Sequence, residues 1–381
     1  MGIISIEHLG PIAGRFEMNL DSKLTILIGE QATGKSTIAR ILYYCAVCAY
    51  NWAQGELGLG DCTFIAHGVT VRKYLSENYL CGNDSSGKVE FFYDGLRLSL
   101  NAKDYFGLKI IPAVVAFESP YPIYVPAGRS TIPLLFESYA AARNINVDPF
   151  LNDFLLFLDG FRKPHSRSMQ GMLAEAVRFP RRYPIDEDNA RVAIEVIEEV
   201  LKGEYRYEKG NERIFYNSTE SVPVTAASSG QQEVLYILLT LFYVIRNPRP
   251  HFIVIEEPEA HVFPAAQKLI MELVARVINT TNSKVVITTH SPYVLTATNL
   301  LMHSAKVESK INSDKIVIDE MARINPESVS AYLLEHKGGF SYRSIIDEET
   351  GLIVAEEIDT VSNIIDQAMS DLIDLEVKYG L

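Results

Sequence analysis

Two segments of the chain carry side chains whose types and spacing suit phosphate chemistry, and the first is GEQATGKS. It fits the pattern G-x-x-x-x-G-K-[ST], with a predicted strand before it and a predicted helix after it. Glycines allow backbone N–H groups to close around phosphate oxygens, and the helix N-terminus favours negative charge. We expect Lys35 to reach the β- and γ-phosphates and Ser36 to offer its hydroxyl to Mg²⁺. The predicted nucleotide-binding residues of this loop are Gly29, Glu30, Gln31, Ala32, Thr33, Gly34, Lys35, Ser36 and Thr37.

The second segment, HFIVIEEPEAHVF, joins an apolar run to two adjacent carboxylates, Glu256 and Glu257. A buried carboxylate is costly unless a cation compensates it, and nucleotide-bound Mg²⁺ supplies such a cation. In a parallel sheet, ligands bind outside the carboxyl ends of the strands. The pattern therefore predicts that Glu256 orients the metal and that Glu257 is the catalytic carboxylate, polarising the attacking water. A pair of solvent-exposed charges at a strand end is the alternative.

Two further loops indicate which kind of nucleotide-hydrolysing enzyme the motifs fit. ITTHS ends a predicted strand at His290, whose side chain is predicted to contact the γ-phosphate. ASSGQQE places small residues at the start of an apolar helix, which is again an anion site. Its predicted nucleotide-binding residues are Ser228, Ser229, Gly230 and Gln231. Taken singly, the loops also fit a capped helix and a structural histidine, but the order of all four motifs favours the functional interpretation.

Strands alternate with helices around these motifs, which predicts a mainly parallel core sheet covered on both faces. Short strands are predicted at the N-terminus, and residues 68–100 have the spacing of an antiparallel meander. We therefore expect an α/β fold in three parts. Residues 1–133 hold the phosphate loop and an antiparallel β subdomain, residues 134–201 form a helical insertion, and residues 202–381 hold the remaining motifs.

Charge is unevenly distributed along the chain. The net charge of -13 argues against a protein held to nucleic acid by overall attraction. The end of the chain, from Asp347 onward, is rich in acidic residues. The predicted insertion carries a basic patch that is either a solvated face or a surface for DNA or a protein partner. Its members are Arg162, Lys163, Arg167, Arg178, Arg181 and Arg182.

The remaining composition is that of an ordinary globular protein, with 48% hydrophobic residues in 381. Four cysteines are too few for a disulfide framework, and we expect buried, reduced thiols at Cys45, Cys48, Cys62 and Cys81. The N-terminal residues lack the pattern of a signal peptide, and the longest apolar run is too short to cross a bilayer. A cytoplasmic location without a membrane partner is therefore predicted.

The four motifs together resemble those of the ABC-type ATPase heads of the RecF, SMC and OLD (overcoming lysogenisation defect) group. ASSGQQE is similar to the family signature LSGGQ, and EEPEAHVFP and ITTHSPYVL are most similar to OLD-like ATPases. The resemblance implies an ABC-ATPase-like P-loop NTPase head that binds ATP and Mg²⁺, with His290 as the switch histidine. It also implies that the signature segment completes the ATP site of the opposite subunit, and that Ala260 and His261 contact that subunit.

Two features depart from the family pattern. No glutamine is placed as a Q-loop, and Arg129, in YVPAGR, is predicted to take its place as a nucleotide-binding phosphate or coupling contact. After His290 no acidic cluster resembles the Toprim nuclease of full OLD proteins. Any effector activity is therefore expected from a separate protein.

The resemblance predicts a switch that hydrolyses ATP to ADP and phosphate. It would dimerise around two ATP molecules and control an effector such as a nuclease or toxin, in bacterial anti-phage defence or DNA metabolism. A RecF-like DNA repair ATPase, with DNA bound through the basic patch, is one alternative. The nucleotide-binding subunit of a membrane transporter is another, and the missing Q-loop glutamine counts against it.

Overall fold

The structure is a computed structural model that describes residues 2–54, 86–94, 96–101, 109–111, 119–139, 148–162, 168–178, 184–208, 211–308, 318–336 and 339–354. Its strands are β1 (Ile3–Leu9), β2 (Ile12–Asn19), β3 (Leu24–Gly29), β4 (Lys88–Tyr93), β5 (Leu96–Asn101), β6 (Lys109–Ile111), β7 (Tyr121–Val125), β8 (Glu204–Glu208), β9 (Asn211–Phe215), β10 (Ser221–Pro223), β11 (His251–Glu256), β12 (Lys284–Thr289), β13 (Val329–Glu335) and β14 (Ser341–Ser344). Its helices are α1 (Lys35–Ala53), α2 (Ile132–Tyr139), α3 (Pro149–Arg162), α4 (Met169–Val177), α5 (Glu187–Leu201), α6 (Ser229–Arg246), α7 (Pro264–Thr281) and α8 (Pro292–Glu308).

The central sheet has the strand order β14-β13-β3-β12-β11-β7. All of its strands pair in parallel except β14, which pairs antiparallel with β13. Every residue of β3 and of β11 is buried. Continuous burial is typical of parallel strands that are covered on both faces, and it explains why their sequences show apolar runs without alternation.

Each face of the central sheet packs into its own hydrophobic cluster. Val254 of β11 packs with apolar residues of α1 and of the N-terminal strands. Its neighbours Ile253 and Ile255 point to the opposite face and pack with residues of α6 and α7. Because successive side chains of a strand point to opposite faces, one short strand anchors both layers of helices and sheet.

Two antiparallel sheets flank the core. The N-terminal one has the order β2-β1-β4-β5-β6, and β10-β9-β8 form the other. The hairpin of β8 and β9 lies next to α5 in sequence. The predicted antiparallel subdomain is therefore confirmed over β4 and β5, whereas the part of the predicted meander before residue 86 lies outside the described residues.

The mixed α/β fold with a mainly parallel core sheet is confirmed. The described part of the predicted insertion, residues 134–201, is mainly helical. Its buried apolar side chains join the cluster that covers one face of the central sheet, except Phe150, which joins the other cluster. The domain boundaries themselves stay a prediction. Strands β13 and β14 were not predicted, although β13 is a neighbour of the strand that carries the phosphate loop.

Several predictions fall on residues that the structure describes only in part. Arg178 is exposed, and the side chains of the other basic-patch residues lie outside the described part, as do Cys62, Cys81 and residues 355–381. Cys45 and Cys48 are buried in α1 and form no disulfide. Among the described helices, none combines the length and apolar character needed to span a bilayer.

Candidate functional site

Three of the four predicted motifs lie at the carboxyl edge of the central sheet. The phosphate loop follows β3, Glu256 is the last residue of β11, and His290 follows β12. Arg129 comes shortly after β7. These four strands are successive parallel neighbours, so their carboxyl ends lie at one edge of the sheet. This edge is where open parallel sheets bind ligands.

Two positions of the phosphate loop have backbone conformations or close contacts that favour glycine. Gly29 has φ +157, and a Cβ atom there would overlap the carbonyl oxygen of Leu334 on β13. Gly34 caps α1 with φ 96, in the left-handed region that strains other residues. Ala32 also has a positive φ of 62. Glu30 and Gln31 are exposed, whereas Thr33 is buried and donates from Oγ1 to the Glu30 carbonyl at 2.9 Å.

Lys35 is folded across this loop. Its Nζ donates to the carbonyl oxygens of Gly29 at 2.8 Å and Glu30 at 2.7 Å, and the residue is 5% exposed. Burial lowers the pKa of Lys35 to about 8, although the charges of Glu257 and Glu259 act in the opposite direction. The ammonium group is therefore mostly protonated at neutral pH and lies where phosphate oxygens would replace the two carbonyls as acceptors.

Glu256 is a buried carboxylate with an unmet need for positive charge. It is 2% exposed; Oε2 accepts from the Ala127 N–H at 3.3 Å, and Oε1 is buried without a hydrogen-bond partner. Such an oxygen is costly unless a cation compensates it. Ser36, in the first turn of α1, is exposed.

This chemistry fits Mg²⁺. Within the described residues, no group of three or more His, Cys, Asp or Glu side chains forms a metal cage. Mg²⁺ does not need one, because it is usually bound through one or two carboxylates together with water and phosphate oxygens. The residues that would hold it are the predicted pair, Ser36 and Glu256.

Glu257 and His290 face each other across the site. Glu257 Oε1 lies 3.4 Å from His290 Nε2, and both side chains are partly exposed. The hydrogen bond from His290 lowers the pKa of Glu257, and the charges of Lys35 and Arg129 lower it further against the effect of burial. Glu257 also has a positive φ of 44, which only a few per cent of non-glycine residues adopt. The carboxylate is thus ionised at neutral pH and held by an unusual backbone.

A third acid, Glu259, connects the two loops. Its Oε1 accepts from the His290 N–H at 2.6 Å and from the Thr289 hydroxyl at 2.8 Å. The loop after β11 is thereby tied to the end of β12, which fixes the backbone of His290. Sequence reasoning missed this residue. The available signal was the third carboxylate of EEPE, which sits beyond the proline.

The Arg129 side chain is buried and bonded within the protein, whereas the sequence predicts a contact with the nucleotide. It is 0% exposed, and its NH1 donates to the carbonyl oxygens of Pro126 and Glu256, both at 2.6 Å. NH2 donates to the Glu257 carbonyl at 2.8 Å and Nε to the Glu233 carbonyl at 2.8 Å. Because every guanidinium nitrogen donates within the protein, the predicted phosphate contact is corrected. We propose instead that Arg129 positions the backbone of the paired acids.

Glu233 is the counter-charge of Arg129 and was also missed. Its carboxylate accepts from the backbone N–H groups of Arg129 at 3.0 Å and Ser130 at 3.1 Å. It lies 3.6 Å from Arg129 Nε and is 2% exposed. The signal in the sequence was a single acid in the apolar run that follows SSGQQ. The pair links α6 to the paired acids of β11.

Replacing Arg129 by methionine is expected to lower the free energy of unfolding by about 3–5 kcal/mol, because Glu233 would stay buried without a counter-charge. Urea denaturation measures this change. Arg191→Met is the matched control, since Arg191 is exposed and forms a surface pair with Glu187 at 3.5 Å. The control should change stability by less than about 1 kcal/mol. Equal stability of the two variants would contradict the assigned role of Arg129.

The signature segment begins α6. The Ser228 side chain accepts from the Gln231 N–H and the Gln231 side chain accepts from the Ser228 N–H, which together form a capping box. A Cβ atom on Gly230 would lie 2.7 Å from the His261 carbonyl oxygen, so this helix start touches the segment predicted to contact a second subunit. Ser228 and Ser229 are exposed. The structural interpretation as a capped helix is therefore correct, and it leaves the serine surface accessible.

The signature segment borders a groove at the start of α6. Ser228, Gly230 and Gln231 line a groove of about 480 Å³ together with His261 and Phe263. No residue of the described phosphate loop lines this groove. Phe263, which lines the groove, is 78% exposed.

Comparison with known proteins gives a family match over part of the chain. Residues 173–295 match the AAA ATPase domain family. This range is about a third of the chain; it includes the signature segment, the paired acids and His290, but not the phosphate loop. No curated protein matches the chain.

Solved structures of SMC head domains are similar in part. One is an SMC head bound to the C-winged helix domain of ScpA, with 11% identity and a TM-score of 0.49, covering 94% of this chain and 98% of that chain. Another is an SMC head domain from Thermotoga maritima, with 13% identity and a TM-score of 0.40 over 90% of this chain and 98% of that chain. A third, derived from Pyrococcus furiosus, is an SMC head with an extended coiled coil bound to the C-terminal domain of ScpA, at 11% identity and a TM-score of 0.44 over 96% of this chain and all 100% of that chain. Residues 173–295 are thus similar to an ATPase domain family, and a segment that fits the phosphate-loop motif, GEQATGKS, lies upstream of that match.

Proposed function

We propose that the chain is an ATP-binding and ATP-hydrolysing switch that associates with a second copy of itself around two ATP molecules. The separation of the phosphate loop from the signature segment supports this proposal. Both have exposed residues, yet the groove lined by Ser228 contains no residue of the described phosphate loop. One copy therefore presents two incomplete nucleotide surfaces, and a second copy would complete each of them.

Within one copy, different residues would bind the phosphates, orient the attacking water and hold these groups in place. Lys35 exchanges its two loop carbonyls for phosphate oxygens, and the backbone N–H groups of the loop surround the same charge. Glu257 accepts a hydrogen bond from a water molecule beside the γ-phosphate and orients it for attack. His290 donates to Glu257 and holds its carboxylate in the ionised form. Arg129 and Glu259 fix the backbones on which these two residues lie.

The bound cation has a narrow role. When bound, Mg²⁺ would supply positive charge that neutralises the phosphate oxygens. Glu256 and Ser36 are the protein groups that would hold it, and the buried Oε1 of Glu256 is the atom that requires such a charge. Tyr124 lies against the other side of this acid, and burial together with the Glu256 charge raises the pKa of Tyr124 well above its usual value. Tyr124 therefore stays neutral and adds no competing charge.

Replacing Ser228 by arginine tests the second copy. The exposed Ser228 surface would carry a bulky cation, so we expect hydrolysis to fall at least about 100-fold while one copy still binds ATP. Nucleotide affinity is measured at low protein concentration, and association is measured by light scattering with a non-hydrolysable ATP analogue. The variant is expected to stay monomeric.

Ser218→Arg is the matched control, because Ser218 is exposed between β9 and β10 and does not line the groove beside Ser228, so it adds the same bulky cation away from the signature segment. It should hydrolyse ATP at close to the normal rate. If Ser228→Arg loses ATP binding as a monomer, the assignment of this segment to the opposite site is wrong. If the variant associates and hydrolyses normally, the proposed dimer is wrong.

We also propose that the switch controls a separate effector protein in anti-phage defence or DNA metabolism. This part rests on the resemblance of EEPEAHVFP and ITTHSPYVL to OLD-like ATPases. ATP and ADP differ in the contacts that they make across a dimer interface, so they would favour different states of the switch. Co-purification of the neighbouring gene's product, compared in ATP and in ADP, tests this step. Equal recovery in both nucleotides would contradict it.

A further inference from the structure

A second cavity lies between α1, the strand β7, α3 and α6. Its volume of about 370 Å³ falls within the range of small-molecule sites. Aromatic rings form much of the wall, among them Tyr43, Tyr121, Tyr124, Phe157 and Tyr243. No residue of the phosphate loop or of the signature segment lines it. The cavity is therefore separate from the phosphate loop and the signature segment, although one of its lining residues, Tyr124, also lies beside Glu256.

One carboxylate faces this aromatic wall. Among the described lining residues, Asp153 is the only one with an acidic or basic side chain other than the tyrosines. Its Oδ2 lies 3.5 Å from the Tyr43 hydroxyl, the long limit of a hydrogen bond. Burial raises the pKa of Asp153 to about 7, and the charge of Asp148 acts in the same direction, against the hydrogen bond from Tyr43. The protein thus keeps a carboxylate where its own groups satisfy it poorly.

The arginines near this cavity contact groups other than Asp153. Arg40 lies 3.5 Å from Asp148 and 3.4 Å from the Tyr124 hydroxyl, and its guanidinium sits 5.2 Å from the centre of the Phe150 ring. Arg249 lies 4.4 Å from the centre of the Tyr121 ring. Neither arginine lines the cavity. A third, Arg246, lies 5.3 Å from the centre of the ring of Phe161, which lines the cavity. The aromatic rings around the cavity thus already attract cations, while no basic side chain of the described residues lines the cavity itself beside Asp153.

These features identify the chemistry of a ligand. Aromatic faces attract ammonium and guanidinium groups through the negative charge of the ring face, and this attraction strengthens where water is excluded. A carboxylate adds direct charge complementarity, which an apolar or anionic ligand would not satisfy. We propose that this cavity binds a small organic cation, whose ammonium or guanidinium group pairs with Asp153 among the tyrosine and phenylalanine rings.

A pair of matched probes tests the proposal in the full chain. n-Butylammonium and n-pentanol have similar length and differ in charge, and their affinities are measured by calorimetry at pH 8. The ammonium is expected to bind at least about tenfold more tightly than the alcohol. Asp153→Asn keeps the shape of the side chain, and it should remove this preference.

The pH dependence gives an independent readout. The cation requires the ionised carboxylate, so its affinity should rise between pH 6 and pH 8 and should be independent of pH in Asp153→Asn. Asp159→Asn, on the same helix and outside the cavity lining, is the control and should bind the ammonium normally. The proposal is wrong if neither probe binds, if both bind equally, or if Asp153→Asn keeps its preference for the ammonium. None of these outcomes bears on ATP hydrolysis.

Discussion

Replacing Lys35 by alanine is expected to lower the affinity for ATP at least about 100-fold, because phosphate oxygens lose a charge-assisted donor worth about 1.5–3 kcal/mol for each bond. Lys35 already points its ammonium group into the loop, where it donates to the Gly29 and Glu30 carbonyls. Calorimetry with ATP and Mg²⁺ measures the loss. In the unmodified protein, affinity should also decline as pH rises above about 8, since the pKa of Lys35 is lowered to that value.

Lys268→Ala is the matched control. Lys268 forms a surface pair with Glu272 at 2.6 Å on α7, away from the loop, so its removal takes away the same charge without touching the site. ATP affinity of this variant should be normal and should follow the same pH curve. Unchanged affinity in Lys35→Ala would show that the loop does not bind the triphosphate, and the proposed ATPase would fail with it.

Replacing Glu257 by glutamine is expected to lower ATP turnover about 100- to 10,000-fold while leaving ATP bound. The amide has the size of the carboxylate but cannot take a proton from the attacking water. The other proposed contacts to the nucleotide, from the phosphate loop, the metal-binding residues and the signature segment of the second copy, are left in place. We therefore expect the variant to accumulate in the ATP-bound, associated state, which light scattering detects after ATP is added.

Glu327→Gln is the control for this experiment, because Glu327 lies just before β13, away from the paired acids. It should hydrolyse ATP at the normal rate. The lowered pKa of Glu257 adds a second expectation: since the carboxylate is ionised at neutral pH, turnover should show no loss from its protonation between pH 8 and pH 6. Normal turnover in Glu257→Gln would remove this residue from the mechanism.

Local motifs of the site were predictable because their chemistry is encoded over a few consecutive residues. The spacing of Gly29, Gly34 and Lys35 is set by the shape of a phosphate, and a buried strand that ends in Glu256 shows an unsatisfied charge. The shared edge then follows from the general rule that parallel strands place their carboxyl ends together. Sequence reasoning therefore placed these groups at one edge before any contact was known.

Long-range contacts escaped prediction for a physical reason. Arg129 carries a charge, and a charge near a strand end suggests a ligand until its burial is known. Its actual partners, Glu233 and the carbonyl of Glu257, are 104 and 128 residues away in sequence. The same holds for β13, which continues the central sheet although little in residues 329–335 distinguishes it from an isolated strand. Patterns over a few consecutive residues do not show which residues, distant in sequence, will contact the site.

The position of β3 has a consequence for how the protein is made. This strand pairs with β12 on one side and β13 on the other, and both are formed from residues beyond 283. During translation, the phosphate loop leaves the ribosome while these neighbours are still unmade, and the Leu334 carbonyl that packs on Gly29 arrives much later. The pairing of β3 with both neighbours, and the packing of the Leu334 carbonyl on Gly29, can therefore form only after β13 has been synthesised.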